Sequence, residues 1–400
     1  MDITRPEPLS YPFNRSDTLE LDERYARLRA EEPMARVKLA YGDEAWLATR
    51  YADARFVLGD ARFSRVTPPG RDEPRLGEQT LAAGMLSMDP PEQTRIRRLA
   101  TKAFTNRSVE SLRQVAVEVA DGLVTTMVEK GPPVDLVSAF ALPLPVTVIC
   151  TLLGVPVDDH PLFAEWSEGF LSATGLSPAK IAEYQGNLWQ YMATLLAERT
   201  TDPKDDLLSA LAQVRENDDR FTGQEILQLS AGLLAAGHET TMSQIPNFVL
   251  TLIEHPAEMA RIRENPDIIP QAVEELMRYI PLGLGSAFPR YAKEDIEVGG
   301  VLVRQGEAVL AAIGSANRDE SAFPHADTLD VTRKSGPHIG FSHGAHHCLG
   351  APLARMELQV ALSTLLGRLP DLRLAVPVDG LRWKEGGFMR RMTEMPVAWG

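Results

Sequence analysis

Cysteine, long apolar runs and a leader pattern are scarce or missing in this sequence. Only two cysteines, Cys150 and Cys348, occur in 400 residues, which excludes a disulfide framework and favours a reducing cytoplasm. The longest apolar stretch, residues 140–155, is interrupted by Pro143 and Pro145, so no segment is suited to span a bilayer. The N-terminus lacks the charged and then apolar pattern of a signal peptide. We therefore expect a soluble cytoplasmic protein without a membrane anchor.

Positive charge is also in short supply. The chain has 41 Lys and Arg against 55 acidic residues, and its net charge of -14 argues against a general nucleic-acid binder. Hydrophobic residues make up 44% and charged residues 24%, which are ordinary proportions for a globular protein. Internal repeats and low-complexity linkers are absent. The length alone favours roughly two or three domains.

Helical periodicity accounts for most of what is present. Apolar residues recur at helical spacing in four long segments, of which the longest opens with a capping box formed by Thr222 and Glu225. Segments with β character are short, and a stretch rich in Pro, Gly and charge is a predicted surface loop. The pattern predicts a mainly α protein with small β-sheets. The helices are expected at 109–129, 179–199, 221–255 and 355–369, a hairpin at 37–49, strands at 296–302 and 307–313, and the loop at 66–79.

The strongest chemical signal is the segment HIGFSHGAHHCLG at residues 338–350. Cys348 follows a glycine-bearing turn and precedes a helix expected to start near Ala351. At a helix N-terminus, the dipole and the free backbone N–H groups stabilise a thiolate. Gly344 and Gly350 allow the backbone to curve around the sulfur and to approach a flat ligand closely. The segment therefore has the features of a site built around one sulfur atom.

Two other interpretations of this segment remain open on the residues alone. A lone cysteine is most often a small buried hydrophobic residue that packs in the core and has no catalytic or metal-binding role. A zinc site is the second alternative, although structural zinc sites usually take their ligands from two separated pairs. The zinc ligands in that case would be His343, His346, His347 and Cys348.

The segment resembles the haem-binding signature of the cytochrome P450 family, F-x-x-G-x-x-x-C-x-G. The matching positions are Phe341, Gly344, Cys348 and Gly350. The resemblance implies that Cys348 ligates the iron of heme b, with Phe341 packed near the sulfur and with His338 and His346 in reach of a propionate. A thiolate ligand donates electron density and favours O–O cleavage. Ser342 departs from the pattern, because the family more often has glycine there.

A second resemblance lies inside the longest predicted helix. Residues 236–240, AGHET, are similar to the family's oxygen-activation motif A-G-x-[DE]-T. An acid and an alcohol in an otherwise apolar helix are costly to bury, so they need a reason. The resemblance implies that Thr240 hydrogen-bonds the dioxygen being reduced and that Glu239 relays protons to it. These two residues are the predicted catalytic pair.

Other segments also resemble the family. Glu275 and Arg278 match its structural E-x-x-R pair, but Thr328 stands where a third partner arginine is usual, and Arg333 is the candidate substitute. In residues 88–98, Gln93 and Arg97 share one helix face. The resemblance implies that these two residues and a later arginine bind haem propionates. That arginine is Arg290. The other cations of the segment are candidates for docking an electron donor, namely Arg95, Arg98, Lys102 and Arg107.

The resemblance covers nearly the whole chain and implies a single haem domain, residues 1–400, in place of several domains. It implies a monooxygenase of the soluble actinomycete type, which oxidises a bulky macrolide or polyketide metabolite with dioxygen. Two electrons would come from a ferredoxin and a ferredoxin reductase, and the enzyme would be a monomer. The substrate pocket is expected to include Leu86, Ala235, Ala236, Leu284, Ser286, Ala287, Phe288 and Phe388.

Two alternative functions are considered beside this one. Related enzymes couple aromatic cyclic dipeptides oxidatively with the same haem, and the residues do not separate the two substrate classes. The other rival is a haem sensor or carrier without turnover. Glu239 and Thr240 argue against the carrier, because a carrier gains nothing from proton delivery.

Overall fold

Helices carry most of the chain, as the periodicity predicts. The computed structural model describes residues 7–78, 80, 84–166, 176–217, 221–286, 288–334 and 336–400. The helices in that part are α1 (Arg24–Glu31), α2 (Tyr51–Gly59), α3 (Glu92–Thr101), α4 (Asn106–Lys130), α5 (Pro143–Leu153), α6 (His160–Trp166), α7 (Pro178–Thr201), α8 (Leu207–Asn217), α9 (Gly223–Glu254), α10 (Pro256–Glu264), α11 (Ile269–Tyr279), α12 (Ile313–Ala316) and α13 (Ala351–Arg368).

The longest helix, α9, forms the centre of the helical core. Its N-terminus is closed by the predicted capping box, in which Thr222 and Glu225 satisfy each other's backbone N–H groups. Pro246 lies inside the helix, which continues to Glu254. α9 packs against α5, α7 and α13, and α13 packs against α4. The middle of α9 is therefore surrounded by protein, and polar residues there need a specific purpose.

The strands are short and form small sheets. They are β1 (Leu9–Ser10), β2 (Met34–Lys38), β3 (Glu44–Ala48), β4 (Phe63–Ser64), β5 (Val134–Asp135), β6 (Arg290–Ala292), β7 (Ile296–Val298), β8 (Val301–Val303), β9 (Ala308–Ala311), β10 (Arg373–Leu374), β11 (Arg382–Trp383), β12 (Met392–Glu394) and β13 (Pro396–Ala398). The largest sheet has six strands in the order β1-β2-β3-β9-β6-β4, and smaller groups are β10-β13-β5, β11-β12 and β7-β8.

Strand pairing confirms one sequence prediction and corrects another. β2 and β3 form the expected antiparallel hairpin, with Val37 opposite Ala45. The single strand expected at 296–302 is instead the hairpin β7–β8. It turns at Gly299 and Gly300, whose φ angles are 56° and 82°. Two successive residues with positive φ make the turn that suits a tight hairpin, and glycine adopts it without strain.

The buried ion network around α11 identifies the third partner of Glu275. Arg278 Nε donates to Glu275 at 2.7 Å, and both side chains are almost fully buried. Arg333 Nε donates to the same carboxylate at 3.0 Å, which confirms it as the substitute arginine. Thr328 takes part in this network through its carbonyl oxygen, which accepts hydrogen bonds from Arg278 and Arg333. Removing one member of such a network leaves a buried charge unpaired, at a cost of roughly 3–5 kcal/mol.

The helices offer no candidate for a membrane span. Within the ranges that the structure describes, none combines the length and the apolar character that crossing a bilayer requires.

Candidate active site

Cys348 lies where the chain turns into α13, as predicted. Its backbone N–H donates to Phe341 O at 2.8 Å and closes the loop. The backbone N–H groups of Gly350 and Ala351 point at the sulfur and lower the pKa of the thiol. Gly344 has φ of 73°, and a Cβ there would lie 2.6 Å from Leu58 O, so only glycine fits at this point. Gly350 has a negative φ and enough room for a Cβ, so the need for glycine there stays a prediction.

The sulfur faces an open cleft inside the protein. Cys348 is accessible to a water-sized probe, yet protein surrounds it closely enough that burial is the largest influence on its pKa. Burial raises the pKa of the thiol, and the helix N-terminus together with the positive charges of Arg97 and Arg355 only partly offsets that rise. The helix end therefore lowers the pKa of Cys348 as expected, but its effect is smaller than that of burial.

One face of α9 is accessible in the middle of an otherwise buried helix. Gly232, Ala236 and Thr240 lie four residues apart along this face, and none of them is buried. The accessible face indicates open space beside α9, as a substrate pocket requires. Ala235 is only 4% exposed, so it adds little to this accessible face, and its place in the pocket stays a prediction. Gly237 has a packing role, because a Cβ there would lie 2.7 Å from Ile149 Cδ1.

The predicted catalytic pair has distinct partners. The Thr240 hydroxyl donates to Ala236 O at 3.0 Å, which leaves its oxygen available to accept a hydrogen bond from the open side. Glu239 is almost fully buried, and its Oε1 accepts from Arg391 Nη1 at 3.2 Å. The ion pair explains how a carboxylate is tolerated inside an apolar helix. Sequence reasoning missed Arg391, which lies 152 positions away from its partner.

A cluster of cations lies on the β6 side of the cysteine loop. Arg290 is buried, and its Nη1 has no hydrogen-bond partner among the described residues. Burial, followed by the repulsion of Arg65, lowers the pKa of Arg290 to about 9. His346 is close enough to both arginines that their charges lower its pKa further. A buried guanidinium with an unused donor and no carboxylate bonded to it is suited to bind an anion, as a haem propionate would require.

Three other predicted propionate ligands hold the loop itself. Gln93 Nε2 donates to Ala345 O at 2.8 Å, and Arg97 Nη2 donates to His347 O at 2.7 Å. His338 accepts from the Gly340 N–H at Nδ1 and therefore donates from Nε2 to Glu274, at 3.2 Å. Propionate binding by these three residues stays a prediction. Their observed contacts instead fix the loop against α3 and α11.

Phe341 and Cys150 have simple environments. Phe341 is buried beneath Arg355, whose guanidinium lies 4.4 Å from the ring centroid. Cys150 is fully buried, and burial raises its pKa to about 12, as for an inert core cysteine.

The zinc alternative for the cysteine loop is wrong, because no three His, Cys, Asp or Glu side chains within the described ranges come together to share a metal ion.

The expected pocket segments from two distant parts of the chain lie together. Leu284 N–H donates to Phe388 O at 3.0 Å. Leu86 and Phe288 are 41% and 38% exposed. Exposed large apolar side chains are typical of a surface that binds an apolar ligand. Ser286 is partly accessible next to them. Ala287 lies outside the described residues.

Two further buried residues were not found from the sequence. Arg65 is almost fully buried and donates to Leu86 O and Pro289 O, so it supports both the cation cluster and the pocket. Glu357 of α13 is completely buried, and neither of its oxygens makes a hydrogen bond of normal geometry in the described part. Burial raises its pKa well above the ordinary value, and the nearby Thr241 hydroxyl opposes this only in part. Nothing in the local sequence separates these residues from exposed ones.

Known proteins resemble the chain over its full length. A cytochrome P450 family model matches residues 180–370. Mycinamicin IV hydroxylase/epoxidase of Micromonospora griseorubida is 51% identical over 99% of this chain and 100% of that protein. Nocardicin C N-oxygenase of Nocardia uniformis subsp. tsuyamanensis is 48% identical, also over 99% and 100%. A solved variant of the mixed-function P450 MycG in complex with mycinamicin IV has a TM-score of 0.93 and 51% identity, covering 98% of this chain and 100% of that one.

The environment of Glu357 predicts a pH-dependent stability. Because its pKa is raised in the folded state, the carboxyl favours folding below its ordinary value of 4.5 and opposes it increasingly as the pH rises. We expect Glu357→Gln to gain unfolding free energy over the unmodified protein by up to about 1.4 kcal/mol per pH unit above that value. Urea unfolding between about pH 5 and 8 measures the difference. The exposed Glu118→Gln serves as control, and a difference that does not change with pH would contradict the prediction.

Proposed function

The chain belongs to the cytochrome P450 family and is a haem-dependent monooxygenase, and we propose that it oxidises a bulky secondary metabolite of the macrolide or polyketide type. The whole chain, residues 1–400, acts as one haem domain in this proposal. The observation that carries it is the Cys348 sulfur, which lies at the N-terminus of α13 and stays accessible although protein surrounds it closely. The stripe of α9 that is not buried supports the same proposal, because a substrate needs accessible surface. When bound there, haem supplies dioxygen activation, and its thiolate ligand favours O–O cleavage.

The residues present fit the cofactor. Cys348 would hold the iron from the N-terminus of α13, and hydrogen bonds from its own backbone, Gln93 and Arg97 fix its loop. Arg290, with its unused Nη1, holds a propionate, and Arg65 and His346 place further donors beside it. An anion bound there also removes the cost of two neighbouring buried cations, since it replaces repulsion with charge-assisted hydrogen bonds.

Thr240 and Glu239 handle protons in this proposal. The Thr240 hydroxyl is oriented by Ala236 O, so its oxygen accepts a hydrogen bond on the open side of α9. Glu239, which is held by its ion pair with Arg391, moves protons towards Thr240 in this proposal. A non-catalytic carrier would leave both of these polar groups without a use.

The substrate class follows from the pocket and the relatives together. Leu86, Leu284, Phe288 and Phe388 give the pocket an apolar surface, while Ser286 adds a polar point. The name of one relative states that it hydroxylates and epoxidises mycinamicin IV, and 51% identity over the whole chain favours a substrate of similar size. Titrating the ferric enzyme with macrolides, other polyketides and cyclic dipeptides, and recording the shift from low to high spin, tests the class. A response to cyclic dipeptides alone would refute the macrolide assignment.

The electron donor proposed is a ferredoxin, with its reductase, that docks beside the cysteine loop. Two of the arginines in the cationic segment 95–107 have contacts within the protein. Arg95 is paired with Glu225, and Arg97 is bonded to His347 O. The side chain of Lys102 is outside the described ones. Arg98 on α3 and Arg107 on α4 are exposed, so they remain the best contacts for an acidic partner.

Replacement of Cys348 tests the haem ligand directly. We expect Cys348→Ser to lose the red-shifted Soret band of the ferrous–carbonyl complex, because a hydroxyl does not replace the soft anionic thiolate. Cys150→Ser is the matched control, because it changes the other cysteine, in the core, and should keep the band. An unchanged ferrous–carbonyl spectrum in Cys348→Ser would refute the ligand assignment.

Replacement of Thr240 tests the proton relay. Thr240→Ala should keep haem and substrate binding but divert electrons to hydrogen peroxide, because the acceptor on the open side of α9 is lost. We expect product formed per NAD(P)H consumed to fall by about tenfold or more, as for loss of a positioned acid–base group. Thr240→Ser keeps the hydroxyl and should stay coupled. Full coupling in Thr240→Ala would exclude this role.

Charge reversal at Arg98 tests the docking surface. Arg98→Glu should slow ferredoxin-supported reduction by several-fold, more strongly at low salt, because charge mainly affects the association rate. Peroxide-supported turnover bypasses the partner and should be unchanged. Arg382→Glu makes the same charge change at an exposed position of β11 and should have little effect. Equal rates for Arg98→Glu and the unmodified enzyme across salt concentrations would place the docking surface elsewhere.

A further inference from the structure

The pocket wall consists of two extended segments held side by side. Arg390 N–H donates to Leu282 O at 2.8 Å, and Leu284 N–H donates to Phe388 O at 3.0 Å. Gly283 and Met389 form a bridge between these contacts. Among the described residues, two hydrogen bonds and one bridge join the two segments, and neither segment lies in one of the sheets given above. The position of the wall therefore depends on what supports it from behind.

Tyr11 of the N-terminal segment provides one such support. Ser286 N–H donates to the Tyr11 hydroxyl oxygen at 2.8 Å, although the two residues are 275 positions apart. The Tyr11 ring is buried against Phe13, with centroids 5.2 Å apart in an edge-on arrangement. A Cβ at Gly285 would lie 2.8 Å from Tyr11 Oη and Cε1, so the wall runs directly against the ring. Tyr11 thus fixes the wall by one hydrogen bond and by steric contact.

Asn14 and Arg390 connect the same two regions. Asn14 Nδ2 donates to Leu284 O at 2.9 Å, while its Oδ1 accepts from the backbone of Asp22 at 3.2 Å. Arg390 is fully buried and donates to four carbonyl oxygens. These belong to Arg15 (3.3 Å), Leu19 (3.2 Å), Glu20 (2.6 Å) and Pro281 (3.2 Å). Three of the four residues lie in the N-terminal segment, and the fourth, Pro281, directly precedes the first segment of the wall.

We infer that the N-terminal segment, residues 11–20, positions the substrate-pocket wall, with Tyr11 and Asn14 as positioning residues that determine how tightly a bulky substrate is held. Neither side chain needs to touch the substrate, because both act through the backbone of residues 284–286. The inference rests on the proposed function, which assigns Leu284 and Ser286 to the pocket. When a supporting contact is lost, the wall becomes ordered only as the ligand binds. The conformational entropy lost in that step weakens binding.

Two azoles of different size test the inference. Imidazole and clotrimazole both ligate haem iron through nitrogen, but only the bulky clotrimazole reaches the wall. In Tyr11→Phe, which keeps the ring and removes the hydroxyl, the clotrimazole Kd should rise about fivefold, the value of one typical hydrogen bond. The imidazole Kd should stay within about twofold. Asn14→Ala, which removes the donor to Leu284 O, should behave in the same way.

Two further measurements separate positioning from general damage. Tyr25→Phe removes another buried hydroxyl, whose contact to Tyr11 is long at 3.5 Å, and should leave both affinities unchanged. Amide hydrogen exchange at residues 282–286 should speed up in Tyr11→Phe but not in Tyr25→Phe. Unchanged clotrimazole affinity in both Tyr11→Phe and Asn14→Ala, or equal losses for the two azoles, would overturn the inference. Absence of a nitrogen-ligation spectrum in the unmodified protein would overturn the haem assignment and this inference with it.

Discussion

The arrangement of the whole site depends on the loop that holds Cys348 at the edge of an interior cleft. The loop is closed on itself by the Cys348 N–H and fixed to α3 by Gln93 and Arg97. Gly344 allows it to approach α2 more closely than any other residue would. Contacts of this kind, which do not involve the ligand, restrict the position of the sulfur and so reduce the conformational entropy lost on binding.

The cleft is maintained at a cost in stability. Arg65 and Arg290 are buried next to each other, and their mutual repulsion contributes to the low pKa of Arg290. The carbonyl partners of Arg65 satisfy its donors without neutralising its charge. Asp89 offsets the positive charge of both arginines only in part, and Glu73 does so for Arg65, so an anionic ligand bound beside them would be favoured. Strain of this electrostatic kind is expected where a fold is built around a cofactor.

Local patterns could be predicted from the sequence, and long-range pairings could not. The capping box at Thr222 and the position of Cys348 before α13 follow from residues within a few positions of each other, and both were found. Ala235 was expected in the pocket and is almost fully buried, because an apolar helix gives no signal of which of its faces is accessible. The pairing of Glu239 with Arg391 depends on segments that meet only in the folded protein. Burial of Glu357 is likewise a product of helix packing around α13 and not of any local pattern.

The segment 388–391 links three parts of the site that are separate in the sequence. Phe388 O accepts from the Leu284 N–H within the pocket wall, Arg390 is bonded to the N-terminal segment, and Arg391 pairs with Glu239. Successive residues of an extended segment move together, because their side chains share one backbone. In the proposed function, a substrate that displaced Phe388 would therefore also change the distance between Arg391 and Glu239. The shape of the pocket and the proposed proton delivery would then be coupled through the backbone of residues 388–391.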